Sequence, residues 1–126
     1  MNLPDNLKYA DSHEWVLVDG DVATVGITDH AQSELSDVVF VELPKTGRTT
    51  AAKEAVAVVE SVKAASDIYT PVSGEIIATN PELTADPALI NTDPYGKAWI
   101  FKIKLSAPQE LAGLKDAKAY ASHIGK

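Results

Sequence analysis

The sequence predicts a mainly β domain, a sandwich or barrel with short peripheral helices and a helical tail. Three observations lead there. Six or seven short runs rich in β-branched and aromatic residues recur along the chain, Gly, Pro, Asn and Asp punctuate them, and amphipathic helical spacing is confined to short stretches and the C-terminal end. With 126 residues and 45% apolar content, the chain suffices for one core and reads as a single domain over 1–126, with its core at about 7–105 and its helical tail at 106–126.

Glu14 to Val18, Asp19-Gly20-Asp21 and Val22 to Ile27 read as strand, tight turn, strand, because Asp-Gly supplies the positive φ that a short hairpin needs. Thr28 to Leu35 follows as a short helix, with Thr28 as N-cap and Asp29 at the positive end of the dipole. Val38 to Leu43 is a strand stopped by Pro44. Ala51 to Ala65 is ambiguous. Ala55, Val58, Val59, Val62 and Ala65 sit at helical spacing and Glu60 would pair with Lys63 one turn on, but Val56, Val58, Val59 and Val62 favour extended backbone.

Ser66 to Thr70 and Glu75 to Thr79 are strands separated by Pro71 and Gly74, and Asn80 to Gly96 is loop-like, with turn formers at Asn80-Pro81, Asp86-Pro87 and Asp93-Pro94. Trp99 to Leu105 alternates, with Lys102 and Lys104 toward water. Ser106 opens the tail with Gln109 at capping-box spacing, and Leu111, Leu114, Tyr120, Ala121 and Ile124 form its apolar stripe over two short helices.

Charge and composition exclude several function classes. Eighteen acidic against eleven basic residues give a net charge of −7, which repels phosphate backbones and anionic lipid, so neither nucleic acid nor membrane is an expected partner. Cysteine is absent, which removes thiolate nucleophiles, thiolate metal sites and disulfides together. His13, His30 and His123 show no metal-ligand spacing, and Gly47 and Gly74 are isolated turn glycines rather than a phosphate loop. The expectation is a non-catalytic protein without a metal. Met1-Asn2-Leu3-Pro4-Asp5 has neither a basic segment followed by an apolar stretch nor an Arg-rich leader, and the longest unbroken apolar run is Ala55 to Val59, so a cytoplasmic location is expected.

If the runs flanking Val62-Lys63 are paired strands, these two residues are the centre of the turn between them. A lysine at a hairpin tip is ordinary; an exposed valine beside it gives no folding benefit. Glu60-Ser61-Val62-Lys63-Ala64 resembles the lipoyl-attachment motif of glycine cleavage H proteins. His13-Glu14-Trp15, Val25 to Gln32, Asp37 to Pro44, Ser66-Asp67-Ile68-Tyr69, Pro71 to Glu75 and Asn91 to Gly96 resemble that family's other signatures in the same order, over about residues 7–124. Ser36 departs from the pattern by standing where the family commonly has glycine; if the position needs positive φ, serine costs roughly 1 kcal/mol there. Ala55, Lys115 and Lys118 are further departures.

The resemblance implies a lipoyl/biotinyl-type barrel-sandwich hybrid with short peripheral helices and a C-terminal helix. It implies strand rather than helix around Lys63, lipoate in amide linkage on Lys63, and Glu60, Ser61, Val62, Ala64 and Asp67 as the recognised attachment motif. Lysine plus lipoyl makes an arm on the order of 14 Å long. The implied task is to shuttle the aminomethyl group of glycine from a pyridoxal-phosphate glycine decarboxylase (P protein) to a tetrahydrofolate-dependent aminomethyltransferase (T protein), followed by reoxidation by dihydrolipoyl dehydrogenase (L protein). A lipoate ligase or an octanoyl/lipoyl transferase would attach the arm. Ser12, Glu14, His30 and Asp67 are the candidates for a cleft that shields the loaded arm from water. An H-like lipoyl relay outside glycine cleavage would use the same arm. A biotinyl carrier fits less well, since methionines usually flank its lysine. So does a 2-oxoacid dehydrogenase lipoyl domain, which usually has aspartate before it.

Overall fold

A computed structural model describes residues 2–125; Met1 and Lys126, the outermost residues of the expected domain, lie outside the described residues. Seven strands of five to seven residues carry the fold: β2 (Glu14–Asp19), β3 (Val22–Ile27), β4 (Val38–Glu42), β6 (Ala55–Ser61), β7 (Ala65–Tyr69), β8 (Gly74–Thr79) and β9 (Phe101–Leu105). Two-residue strands β1 (Lys8–Tyr9) and β5 (Thr49–Thr50) add edges too short to read from sequence. All pairings are antiparallel. One sheet has the order β1-β2-β3-β9-β8-β5 and the other β4-β6-β7, and together they make the expected mainly β sandwich.

The main core lies where both sheets contribute inward residues, among them Val25, Ile76 and Ile103 from the larger and Val41, Val59 and Ile68 from the smaller. Alternation places them there, as in β9, where Phe101, Ile103 and Leu105 are buried and Lys104 is exposed. The β2–β3 turn is tight because Asp19 pairs with Val22 and Gly20 takes a φ of 64°. Opposite Trp15, Gly26 leaves room for the indole: a Cβ there would come within 2.7 Å of the ring.

Helix α1 (Asp29–Leu35) begins as the sequence predicts, with Thr28 accepting from the Ala31 N–H at 3.2 Å. Two stretches differ from expectation. The loop-like region holds one-turn helices α2 (Glu82–Ala85) and α3 (Leu89–Thr92), too short to show periodicity, each burying one side chain, Leu83 and Ile90. The Ser106–Gln109 capping box does not form. Pro108 keeps Ala107 out of the helical region, at φ −140° and ψ 72°, so a 3-10 segment over Pro108–Gly113 starts at the proline itself. The C-terminal helix α4 (Ala117–His123) is capped instead by Asp116, whose carboxylate accepts from the Ala119 N–H at 2.8 Å. It covers a second apolar cluster of Leu7, Tyr9, Trp15, Ala117 and Tyr120, in which the Tyr9 and Tyr120 rings stack with centroids 4.7 Å apart.

Candidate functional site

Lys63 lies at the tip of the β6–β7 hairpin. Glu60 pairs with Ala65, and the Ser61 N–H donates to the Ala64 carbonyl at 2.8 Å, which leaves Val62 and Lys63 as the two central turn residues. A two-residue hairpin loop ordinarily uses positive φ. Among the described residues only His13, Ser36 and Lys53 of the non-glycines have it, so this turn is held differently. The Ser61 hydroxyl oxygen accepts from the N–H groups of both Lys63 and Ala64, each at 3.1 Å, and the hydroxyl donates to the Ala64 carbonyl at 3.2 Å. Serine suits this role because its short side chain folds back onto neighbouring amides.

Two contacts fix the tip to the body. The Val62 N–H donates to the Asp37 carbonyl at 3.0 Å, and the Lys63 ammonium donates to the Glu34 carbonyl at 3.1 Å. Helix α1 has no basic residue in its last turn, so the lysine supplies the cation that the helix's negative end favours.

Glu34 also lines a cleft of about 160 Å³ between α1 and β7. Its walls are apolar, from Ile27, Ala31, Leu35 and Ile68, and its polar lining comes from Ser12, His13, Glu34, Ser66 and Asp67. A larger cavity of about 410 Å³ shares Ser12 but no residue of α1, so the smaller cleft is the one that adjoins the Lys63 contact.

Of the predicted cleft residues, Ser12 and Asp67 line this space directly. Glu14 is joined to Ser12 from beneath. Its carboxylate accepts from the Ser12 hydroxyl and from the Tyr69 N–H at 3.2 Å, and the side chain is buried at 1% exposure. Burial pushes the Glu14 carboxyl up to about 7, against the pull of those two hydrogen bonds. His30 stands apart from the lining. Its ring packs 4.8 Å from that of His13, and its Nε2 lies 3.5 Å from Glu34. Of the motif residues, Glu60, Val62, Ala64 and Asp67 are exposed and Ser61 half-buried.

Sequence reasoning missed His13, Glu34 and Tyr120. His13 lines the cleft with a φ of 78°, and burial holds its imidazole below the usual histidine range, reinforced by His30 and His123. Its Nδ1 lies 2.8 Å from the Tyr120 hydroxyl, which lies 2.8 Å from Thr28 Oγ1. A pairing across 107 residues leaves no local signal. The position of His13 beside Ser12 and Glu14 was the one available hint.

The family model described as glycine cleavage H-protein matches residues 7–126. The glycine cleavage system H protein of Methylacidiphilum infernorum is 62% identical over 120 residues, covering 95% of this chain and 94% of the relative. That of Chromobacterium violaceum is 57% identical over 125 residues, covering 98% of each. The crystal structure of a glycine cleavage system H protein from Mycobacterium marinum superimposes with a TM-score of 0.91 at 38% identity, covering 98% of this chain and 100% of that one.

Proposed function

The chain belongs to the glycine cleavage H-protein family, and from that premise we propose that Lys63 bears lipoate in amide linkage and that the α1–β7 cleft shelters the arm when it is loaded. The family is lipoate-bearing, a carrier component of the glycine cleavage system. On this reading the chain is one non-catalytic carrier domain acting in the cytoplasm, with its core at 7–105 and its tail at 106–126. It visits the decarboxylase, the aminomethyltransferase and dihydrolipoyl dehydrogenase in turn, after a ligase or transferase has attached the arm. Among the described residues no helix is long and apolar enough to cross a membrane.

The single observation that carries the reading is the placement of one amine. Lys63 is exposed at a turn that projects from the sheet, yet its ammonium rests on the helix that walls the cleft. The residues fit the group. A methylene chain ending in a dithiolane matches apolar walls with a polar rim, and the Glu34 contact marks a path from tip to cleft. When bound, lipoate supplies a dithiolane that takes up the aminomethyl group of glycine and later releases it.

The chain's own residues do the rest. Ser61 shapes the turn that presents the amine, while Glu60 and Asp67 mark it by charge. Ile27, Ala31, Leu35 and Ile68 keep water from the cargo carbon, which bears both nitrogen and sulfur and is prone to hydrolysis. Ser12 and Asp67, on the cleft lining, would accept hydrogen bonds from an ammonium carried by the arm, and Glu14 behind them holds the Ser12 hydroxyl, leaving the Ser12 oxygen free to accept. His30 acts on the cleft through its contact with His13.

Intact mass after incubation with lipoate, ATP and a lipoate ligase tests the proposal. The chain gains roughly 188 Da and loses one positive charge. The Lys63→Arg variant gains nothing; uptake of lipoate by that variant overturns the assignment.

A further inference from the structure

We propose that Val39, Phe40 and Val62 form the docking surface for the enzyme that acylates Lys63, a partner face with an apolar socket rimmed by basic side chains. The proposal rests on the reading of Lys63 as the attachment site.

These are the three most exposed large apolar side chains among the described residues, at 54%, 48% and 66%, against 39% for the next, Ile77. A regular strand would bury one of Val39 and Phe40. Here the β4–β6 register shifts between Val38 and Phe40, so both face water while Val38 and Val41 stay buried. Phe40 pairs with Glu60, three residues before Lys63, and the Val62 N–H is bonded to the Asp37 carbonyl, so strand and tip form one continuous surface. Across β4, the turn, β6 and β7, the charged residues other than Lys63 are Glu42, Glu60 and Asp67, all acidic and exposed. An apolar centre with a charged rim is the anatomy of a protein-binding patch, and an acidic rim selects a basic partner.

Reach identifies the occupant. In acylation the Lys63 amine displaces the leaving group of an activated acyl donor: the C–N bond forms, the acyl–O or acyl–S bond breaks, and the amine loses a proton. That enzyme must bring its reacting atoms to Nζ itself. The enzymes that act later work at the far end of an arm on the order of 14 Å long, so their reacting atoms need not approach Nζ.

The test compares attachment kinetics of the unmodified protein and its Val39→Thr/Phe40→Thr variant, using a lipoate ligase with lipoate and ATP. Threonine keeps strand propensity and removes apolar area. The expected result is a rise of about tenfold in KM for the carrier, and a rise of KM with salt for the wild type. Val62→Thr, at a turn where no strand packing is at stake, moves KM in the same direction. Ile77→Thr, on the other sheet, does not move it. An unchanged KM in the patch variants overturns the proposal, as does an equal rise for Ile77→Thr. So does a fall in glycine-dependent carbon dioxide exchange by the lipoylated variant as steep as its loss in attachment, which assigns the patch to a later enzyme. Uptake of lipoate by Lys63→Arg rejects the attachment site itself, whereas an unchanged KM with Lys63→Arg inert rejects the patch alone.

Discussion

The imidazole Nδ1 of His13 lies 2.8 Å from the hydroxyl of Tyr120, and the same hydroxyl lies 2.8 Å from Thr28 Oγ1. His13 lines the cleft and Thr28 caps α1, which forms the facing wall, so one phenol from the C-terminal helix joins both sides of the cleft. Tyr120→Phe keeps the stack on Tyr9 and removes both bonds. It is expected to cost about 1–2 kcal/mol in urea unfolding. The lipoylated, loaded variant should lose its aminomethyl group several-fold faster than wild type in a hydrolysis time course.

Glu14 makes stability depend on pH. Its carboxyl is raised from 4.5 to about 7, so the folded state holds the proton more tightly than the unfolded state does. Stability therefore falls as pH climbs between those values, and the whole cost, on the order of 3 kcal/mol, is present above pH 7. His13 works in the opposite sense, since its lowered pKa removes stability below about pH 6.5. Glu14→Gln can accept from the Tyr69 N–H and donate to Ser12. Urea midpoints measured from pH 5 to 8 should flatten in this variant. Hydrolysis of its loaded form should accelerate, and an unchanged rate removes Glu14 from the cleft's function.

Ser36 ends α1 at φ 65°, ψ −146°, a region that glycine alone occupies without strain. Its backbone is held there by the Gln32 carbonyl, which accepts from the Ser36 N–H at 3.0 Å, and by the Asn91 side-chain amide, which donates to the Ser36 carbonyl at 2.7 Å. Ser36→Gly keeps both bonds and relieves the strain, at the expense of a more flexible unfolded chain. The net expectation is a gain of about 1 kcal/mol, seen as a higher denaturant midpoint with an unchanged slope.

Ser61→Ala takes away the acceptor shared by the Lys63 and Ala64 amides. Both groups are exposed and turn to water, so the stability change should stay within about 1 kcal/mol. Lipoate attachment should slow by about three- to tenfold because the lysine is no longer held in one presentation. Ser61→Thr, which keeps the hydroxyl, should restore the rate in the same mass-shift assay.

Local residue chemistry made much of the fold legible. The β2–β3 hairpin follows from Asp19-Gly20, the start of α1 from Thr28, and the alternation of β9 from Phe101 to Leu105. Ala51 to Ala65 is ambiguous from its residues alone because its valines fit both periods; Ala55–Ser61 within it pairs with β4 and β7 as a strand, as the family resemblance implies. The α2 and α3 turns carry no periodic signal because one turn holds no repeat, and the Ser106 cap does not form because Pro108 overrides it.

Residues adjacent in the chain were enough for the mainly β class and for the conditional strain at Ser36; they put Val62 and Lys63 at the centre of a turn only on condition that the flanking runs pair, a condition that β6 and β7 meet. Tertiary structure alone decided that Glu14 lies buried under Ser12, that His13 meets Tyr120, and that Val39 and Phe40 both face outward. Those outcomes depend on burial, long-range pairing and a strand bulge, and such properties exist only once distant segments have packed.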